Sequence, residues 1–214
     1  VHAFCEELIA KQANIAWNGT IEVESIVRYS EETLDLMRDS GCHMMWVGAE
    51  TATAEMQAYI RKGIQQGNVD KAMRRMWERN IKIGLFWIIG YPDETRASMR
   101  ATLTLAAEMK TRYPNCTSEV LLYRPLPGTE SGQHAERNGY EMPLEFDTWG
   151  SMVEYKFGNK TYELLPADIR RDYHRYTYLV PWFDGLVKGD TFYHRFLRRM
   201  SAWRLLNHKY EWPI

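Results

Sequence analysis

The sequence is poor in cysteine and shows no arrangement typical of a metal site. Its three cysteines, Cys5, Cys42 and Cys116, are widely spaced and form no CxxC or CxxxCxxC motif. This spacing argues against a disulfide framework and against a zinc or iron–sulfur site made from this chain alone. We therefore predict three buried free thiols. The six histidines also lack a ligand spacing such as HxxxH, so we assign no metal to these residues.

The chain also lacks an excess of charge and long apolar runs. Its 27 Lys and Arg against 28 Asp and Glu give a formal net charge of −1, which does not favour binding to nucleic acid. No apolar run approaches the roughly 20 residues that span a bilayer, and the first residues, "VHAFCEELIAKQ", show no signal-peptide pattern. We expect a soluble, cytoplasmic protein. Because the chain starts at Val1 without an initiator Met, we also expect a missing upstream portion.

What the sequence does contain is a repeated order of short apolar strand, loop and amphipathic helix. Ser30 is a predicted N-cap, Gly41 a predicted helix end, and Asn68 starts a helix with Val69, Ala72, Met73 and Met76 at helical spacing. Strands that alternate with helices predict a parallel sheet, and hence an α/β fold. The predicted strands are 15–24, 43–49, 81–89 and 118–123.

Polar residues and glycines follow each predicted strand. They are Glu22 and Glu24, then "GAET" at 48–51, "GYPDET" at 90–95 and "RPLPGT" at 124–129. Parallel sheets bind ligands at the carboxyl ends of their strands, so these residues are the candidates for a site. Each also has a plainer interpretation: the glycines permit tight turns, Glu50 and Glu94 are ordinary helix-start acids, and "PLPGT" is a type II turn.

In their order, these segments resemble the radical S-adenosylmethionine (SAM) superfamily, most closely its cobalamin-associated branch. That branch includes methyltransferases and the anaerobic magnesium-protoporphyrin ester cyclase type. The resemblance covers about residues 1–150. It rests on "FCEELIAKQANIAWNGTIEVESI", "MRDSGCHMMWVGAETATAEMQAYIRKG", "GLFWIIGYPDET" and "LLYRPLPGTES".

The resemblance implies a partial (βα)6 TIM-like barrel at 1–150, supplying the third to sixth strands, followed by a helical extension at 151–214. The CxxxCxxC loop that holds a [4Fe-4S] cluster and the cobalamin-binding domain would both lie upstream in the same protein. The full-length enzyme would cleave SAM reductively to a 5′-deoxyadenosyl radical and act on a small-molecule substrate, by methyl transfer or oxidative cyclisation. This fragment would be inactive by itself. A degenerate, non-catalytic homologue is the competing account.

The resemblance also implies which residues bind SAM. Glu50, with Glu22 and Glu24 on the preceding strand, would hold the methionine or ribose portion. The adenine would pack against Ile88, Gly90, Tyr91 and Pro92, while Glu94 would bond to loop amides. Two departures weaken the match: Glu22 and Glu24 stand where the family often has Arg and then Asp, and Asp93 replaces a glycine, which predicts a loop without a left-handed residue.

The chain after Gly150 is rich in aromatic helical stretches. Pro166 lies near one predicted helix start and Asp190 is the predicted N-cap of the last helix. In that helix Phe196, Leu197, Met200 and Trp203 share a face, and Arg195, Arg198, Arg199 and Arg204 occupy the rest. Packing of the apolar face on the barrel is one interpretation, and docking to a membrane surface is another. A third is that the extension caps the substrate.

Two alternatives to a radical SAM enzyme remain open at the level of sequence. One is a different α/β barrel enzyme that uses its carboxylates for acid/base chemistry. The other is a non-catalytic or membrane-peripheral binding module built on this fold.

Overall fold

The fold is known from a computed structural model that describes residues 1–65, 67–143, 145, 147, 160–184, 186–207 and 209. Its helices and strands, in chain order, are α1 (His2–Ala10), β1 (Trp17–Glu22), α2 (Val23–Arg28), α3 (Glu31–Asp39), β2 (Cys42–Glu50), α4 (Ala54–Tyr59), α5 (Asn68–Trp77), β3 (Lys82–Ile89), α6 (Arg96–Arg112), β4 (Thr117–Leu122), α7 (Glu130–Arg137), α8 (Lys160–Leu164), α9 (Ala167–Phe183) and α10 (Phe192–Leu206).

Four parallel strands form one sheet among the described residues, in the order β1-β2-β3-β4. In the β1–β2 pair, Glu22 lies opposite Gly48. This arrangement confirms the predicted parallel α/β fold. The first strand was predicted two residues too long at each end. At its carboxyl end the chain turns into α2 at Val23, and Val23 and Ile26 are buried at helical spacing.

Contacts divide the chain into two compact units. The first comprises Val1–Phe86 and Glu108–Glu119, and the second comprises Trp87–Ala107 and Val120–Ile214. The predicted domain boundary between residues 150 and 151 lies outside the described residues, so that division remains a prediction.

The core of the first unit follows the sequence pattern closely. Helix α5 buries the residues at the predicted helical spacing, Val69, Ala72, Met73 and Met76. The predicted N-cap of α3 is confirmed, since the Ser30 hydroxyl accepts a hydrogen bond from the Thr33 amide at 3.1 Å. Cys5, Cys42 and Cys116 are buried and free, as predicted.

One aromatic pair of the first unit requires a glycine beside it. Trp46 of β2 stacks on Phe86 of β3, with ring centroids 5.1 Å apart and planes 13° apart. A Cβ atom at Gly84 would overlap the Trp46 ring. Gly84 is therefore needed for this close approach, and both rings remain half-buried.

In the second unit, charged pairs join α9 to α6. Arg100 donates to the carboxylates of Asp168 at 2.6 Å and Asp172 at 3.5 Å. Helix α9 begins after Pro166, as the sequence predicts, and buries Ile169, Tyr173, Tyr176 and Leu179. Helix α9 is also in contact with the last helix, α10.

Helix α10 buries a different face from the one predicted. Its buried residues are Ser201, Arg204 and Leu205, whereas Phe196 and Trp203 are 53% and 43% exposed. The side chain of Arg204, predicted on the solvated face, is buried and donates from Nε to the Lys209 carbonyl at 3.1 Å. A small residue such as Ser201 allows a neighbouring helix to approach closely, which a large aromatic residue does not.

The start of α10 also differs from the prediction by one residue. Its N-cap is Thr191 rather than Asp190, because the Thr191 hydroxyl accepts a hydrogen bond from the His194 amide at 3.3 Å. Within the part of the chain that the structure describes, no helix has both the length and the apolar character needed to cross a membrane.

Candidate functional site

A buried carboxylate organises the turn after β3. Glu94 Oε2 accepts hydrogen bonds from the Gly90 amide at 2.7 Å and the Tyr91 amide at 3.2 Å, and Oε1 accepts from the Ser98 hydroxyl at 2.8 Å. The predicted bond from Glu94 to loop amides is therefore confirmed. By accepting from two successive amides, the Glu94 carboxylate holds the turn in one conformation.

The burial of Glu94 makes this turn sensitive to pH. Desolvation raises the pKa of Glu94 above its ordinary value, and the hydrogen bonds from Ser98, Gly90 and Tyr91 offset part of that rise. A raised folded-state pKa means that the protonated form stabilises the fold. Its contribution is complete below the unfolded-state pKa and is lost as the pH rises through the folded-state pKa.

The prediction that Asp93 avoids a left-handed conformation is wrong. Asp93 has a φ of 63°, which aspartate tolerates better than most residues because its short polar side chain bonds locally. Its carboxylate Oδ2 lies 2.5 Å from Nε2 of His134 on α7. The aspartate thus keeps the left-handed turn of a glycine and adds a contact to α7.

Gly90 has both a conformational and a packing reason to be glycine. Its φ is 86°, and an added Cβ would lie 2.7 Å from Cγ2 of Thr161 and 3.2 Å from Cδ2 of Leu165. We predicted a close approach of adenine at Gly90, and the residues that approach it here belong to and follow α8. Its ligand role remains a prediction.

Two cavities of the second unit meet at the end of the sheet. The strand-end cavity has a volume of about 270 Å³ and the helix-side cavity about 330 Å³. Tyr91 and Tyr123 line both cavities, with ring centroids 4.7 Å apart. The strand-end cavity also has Ile88, Leu121, Arg124 and Ser131 in its wall, and the helix-side cavity has Glu94, Tyr140, Thr161 and Leu165.

Tyr123 gives these cavities a polar group that the sequence analysis did not select. Its hydroxyl is buried and has no hydrogen-bond partner of ordinary geometry among the described residues. Burial raises the pKa of Tyr123, and the Ser131 hydroxyl offsets part of the rise, so the phenol is a donor at neutral pH. The position of Tyr123 directly after β4 could have identified it from the sequence. The Thr161 hydroxyl donates to the Tyr123 carbonyl at 2.7 Å, but nothing in the neighbouring sequence links Thr161 to this region.

In the first unit, Glu50 ends β2 in a left-handed conformation. Its φ is 63°, its side chain is 13% exposed, and Oε1 lies 3.3 Å from Nζ of Lys62. A Cβ at Gly48 would lie 2.5 Å from Oε1 of Glu50, so this glycine makes room for the carboxylate. Gln57 fixes the backbone on either side by donating to the carbonyls of Ala49 and Thr51. Such a strained residue at a strand end is typical of a functional position.

The two glutamates of the preceding segment have different surroundings. Glu22 is exposed at the end of β1, and its strand partner is Gly48. Glu24 lies in the first turn of α2 and not in the predicted strand, and both of its oxygens accept hydrogen bonds from the Asn68 side chain at 2.9 and 3.0 Å. The structure thus brings Glu22 close to the Gly48–Glu50 strand end and engages Glu24 with the start of α5.

The predicted residues of the second unit do come together. Ile88 and Tyr91 line the strand-end cavity, while Gly90, Tyr91 and Pro92 line the helix-side cavity. Ile88 is half-buried on the open side of β3, whereas the neighbouring Ile89 is fully buried.

The described residues do not fit an iron–sulfur cluster. They contain no group of three or more His, Cys, Asp or Glu side chains that could hold a metal ion. Burial raises the pKa of Cys42 to about 12, which disfavours the thiolate that a cluster requires. Any cluster ligands must come from outside these residues.

The chain is similar to methyltransferases over most of its length. It is 25% identical, over 199 residues, to an uncharacterized methyltransferase of Pyrococcus horikoshii, covering 92% of this chain and 41% of that protein. It is 24% identical, over 144 residues, to the bacteriochlorophyllide d C-12(1)-methyltransferase of Chlorobaculum tepidum, covering 66% of this chain and 30% of the relative. The chain therefore spans less than half the length of these relatives. No protein-family model matches the sequence.

A solved structure shares the fold. The radical S-adenosylmethionine methyltransferase TsrM of Kitasatospora setae, solved with cobalamin and a [4Fe-4S] cluster bound, matches 97% of this chain and 49% of its own length. The TM-score is 0.52 and the sequence identity is 16%, a likeness that shows the fold alone. The chain thus shares the fold of this structure and is similar in sequence to the two methyltransferases.

Proposed function

We propose that this chain is the C-terminal part of the catalytic domain of a SAM-dependent methyltransferase of the radical type. The observation that carries the proposal is the turn after β3, where Glu94 fixes the Gly90 and Tyr91 amides beside a cavity lined by Ile88. The similarity to methyltransferases along 92% of the chain supports it.

In this proposal the second unit binds the adenosyl group. Ile88 and Tyr91 offer an apolar and an aromatic surface, which suit the faces of adenine. Pro92 and Gly90 keep the turn close to the strand end, and Glu94 prevents it from changing shape. SAM, when bound, supplies the reactive sulfonium.

On the resemblance to radical SAM enzymes, Glu22 and Glu50 are proposed to bind the methionine or ribose portion. An ammonium or a ribose hydroxyl suits a carboxylate, and Oε1 of Glu50 already lies 3.3 Å from the ammonium group of Lys62. Glu24 is the weaker member of this set, since Asn68 already occupies both of its oxygens.

The [4Fe-4S] cluster and the cobalamin of the proposed enzyme would be bound by other segments of a longer protein. The complete gene tests this assignment directly. We expect it to encode a CxxxCxxC motif upstream of Val1. A complete gene without those cysteines would exclude reductive cleavage of SAM by this protein.

The cofactor site is tested by titrating the chain with S-adenosylhomocysteine in a calorimeter. Ile88→Trp would fill the strand-end cavity and should weaken binding at least about tenfold, because adenine and the new indole would compete for one space. Ile15→Trp is the matched control at a 47% exposed position and should bind as the unchanged chain does. Unchanged affinity in Ile88→Trp, or no binding by the unchanged chain, would contradict the proposed site.

An acid/base enzyme is not better supported. Among the described carboxylates near the strand ends, Glu94 has a raised pKa, but its hydrogen bonds go to the turn that it stabilises. A raised pKa in a structural carboxylate does not by itself indicate proton transfer.

A further inference from the structure

A strip of apolar side chains runs along the outward face of α10. It consists of Phe192, Phe196, Trp203 and Leu206, which we call the outer strip, and these side chains are 80%, 53%, 43% and 59% exposed. At about 100° per residue, the four positions fall within an arc of roughly 80° on the helix surface. They therefore form one continuous face rather than scattered exposed residues.

The outer strip is not the face with which α10 packs on its own unit. The buried residues, Ser201, Arg204 and Leu205, lie on the opposite side of the helix. A surface helix normally turns its apolar stripe inward and its polar residues outward. In α10 a serine and an arginine face inward, whereas two phenylalanines, a tryptophan and a leucine face outward. An exposed apolar face of this kind is typical of an interaction site.

Positive charge accompanies the outer strip. Arg199 is exposed and lies within the same arc, and Arg195, whose side chain is 62% exposed and lies 3.8 Å from Oδ1 of Asp190, is at one edge of it. Residues 186–207 contain five basic residues (Lys188, Arg195, Arg198, Arg199 and Arg204) against one acid, Asp190, although the whole chain has a net charge of −1. Of these, Arg195 and Arg199 are exposed beside the outer strip, whereas Arg198 is half-buried and Arg204 is buried on the opposite side of the helix.

The loop before α10 extends this surface. Leu186 is 70% exposed, and Tyr193 in the first turn is 63% exposed. Arg198 holds the loop against the helix by donating to the carbonyls of Val187 and Gly189, both at 3.1 Å. The exposed apolar residues of the loop and the helix are therefore held together as one surface.

We propose that α10 docks on an anionic lipid surface, lying flat with the outer strip inserted among the acyl chains. Phe and Trp insert favourably at the boundary between headgroups and acyl chains, and Arg195 and Arg199 are placed to bind lipid phosphates. This proposal is independent of the proposed methyltransferase function.

The charge pattern favours a lipid surface over a second copy of the chain. In a two-fold symmetric dimer through the outer strip, Arg199, which lies within the strip at the middle of α10, would come close to Arg199 of the other copy. Like charges brought together at an interface oppose association. An anionic lipid surface instead offers an apolar layer bordered by negative phosphates, which complements both features of α10.

Vesicle co-sedimentation of the chain tests the proposal. We expect it to pellet with vesicles of phosphatidylcholine and phosphatidylglycerol, and much less with phosphatidylcholine alone or with added salt. Phe192→Ser with Phe196→Ser, and separately Arg195→Glu with Arg199→Glu, should each weaken binding to the anionic vesicles at least about tenfold.

Lys71→Glu with Lys82→Glu is the matched control. It makes the same change in net charge at two exposed lysines of the first unit and should leave vesicle binding unchanged. Circular dichroism should show the same helical content in every variant. The proposal is overturned if the unchanged chain stays in the supernatant with anionic vesicles, or if the α10 variants bind like the control. A third outcome is that the chain does not bind vesicles but dimerises with increasing concentration, and that the Phe192 and Phe196 changes abolish the dimer. The partner of the outer strip would then be a second copy of the chain and not a lipid surface.

Discussion

Helices α5 and α10 differ in the kind of side chain that each one buries. Helix α5 buries its apolar positions, among them Met73 and Met76, and exposes charged residues such as Arg74. Helix α10 buries Ser201 and Arg204 and exposes an apolar strip.

The difference shows what a helical pattern determines. Spacing determines which residues share a face, since that follows from 3.6 residues per turn. Which face is buried depends on the neighbouring surface, and a close neighbour selects small residues over large ones. An apolar face that is left outward is then available for another partner.

The largest expected effect comes from a polar substitution on the buried face of α5. Met76→Asp places a carboxylate where the exposure is 0%, and it should destabilise the fold by about 4 kcal/mol or more, through lost apolar burial and an unsolvated charge. Urea unfolding followed by circular dichroism measures the loss. Lys71→Asp, exposed on the same helix, is the control, and an equal loss there would show that α5 has no strongly buried side.

The second prediction concerns the small residue that faces inward on α10. Ser201 is 1% exposed, so Ser201→Leu should overpack the interface with its neighbours and cost about 1–3 kcal/mol. Arg199→Leu adds a leucine on the outward side and should change the unfolding free energy by less than about 0.5 kcal/mol. If both changes had the same effect, the assigned inward face of α10 would be wrong.

The sequence predicted local features best. The Ser30 cap, the buried face of α5 and the Glu94 carboxylate that binds loop amides all follow from contacts within a few residues. These features depend on neighbouring positions, whose geometry the helix or turn itself imposes.

Features that depend on distant residues could not be predicted. Gly90 packs against Thr161, which is 71 positions away, and Glu24 bonds to Asn68, which is 44 positions away. Neither partner has a local signal in the sequence. The left-handed Asp93 was missed for another reason, because aspartate adopts this conformation often enough to replace glycine.

The third prediction separates the observed N-cap of α10 from the predicted one. Thr191→Ala removes the hydroxyl that accepts from the His194 amide and should cost about 1 kcal/mol. Asp190→Ala should cost less than about 0.5 kcal/mol, since its side chain does not cap the helix. Thermal unfolding of both variants measures the difference, and the reverse order of stability would restore Asp190 as the cap.

The smallest expected effect is on the outward face of α10. Phe196→Ser removes a large apolar side chain but should change the unfolding free energy by no more than about 0.5 kcal/mol, because the ring is already 53% exposed. Urea unfolding without lipid measures this. A loss above about 2 kcal/mol would mean that the ring is buried by the chain itself, and the contrast with α5 would disappear.

A Cβ atom at position 84 would overlap the Trp46 ring, so the effects of substitutions at positions 46 and 84 depend on each other although these positions are far apart in the sequence. A larger residue at 84 requires the space of the Trp46 ring, and a smaller residue at 46 opens a gap in front of Gly84. We expect either change alone to be unfavourable. A large residue at position 84 together with a small one at position 46 would move the bulky side chain from β2 to β3 and fill the same space. Such a pair would give reciprocal sign epistasis in a combinatorial library, with the single variants less fit than both the parent and the double variant.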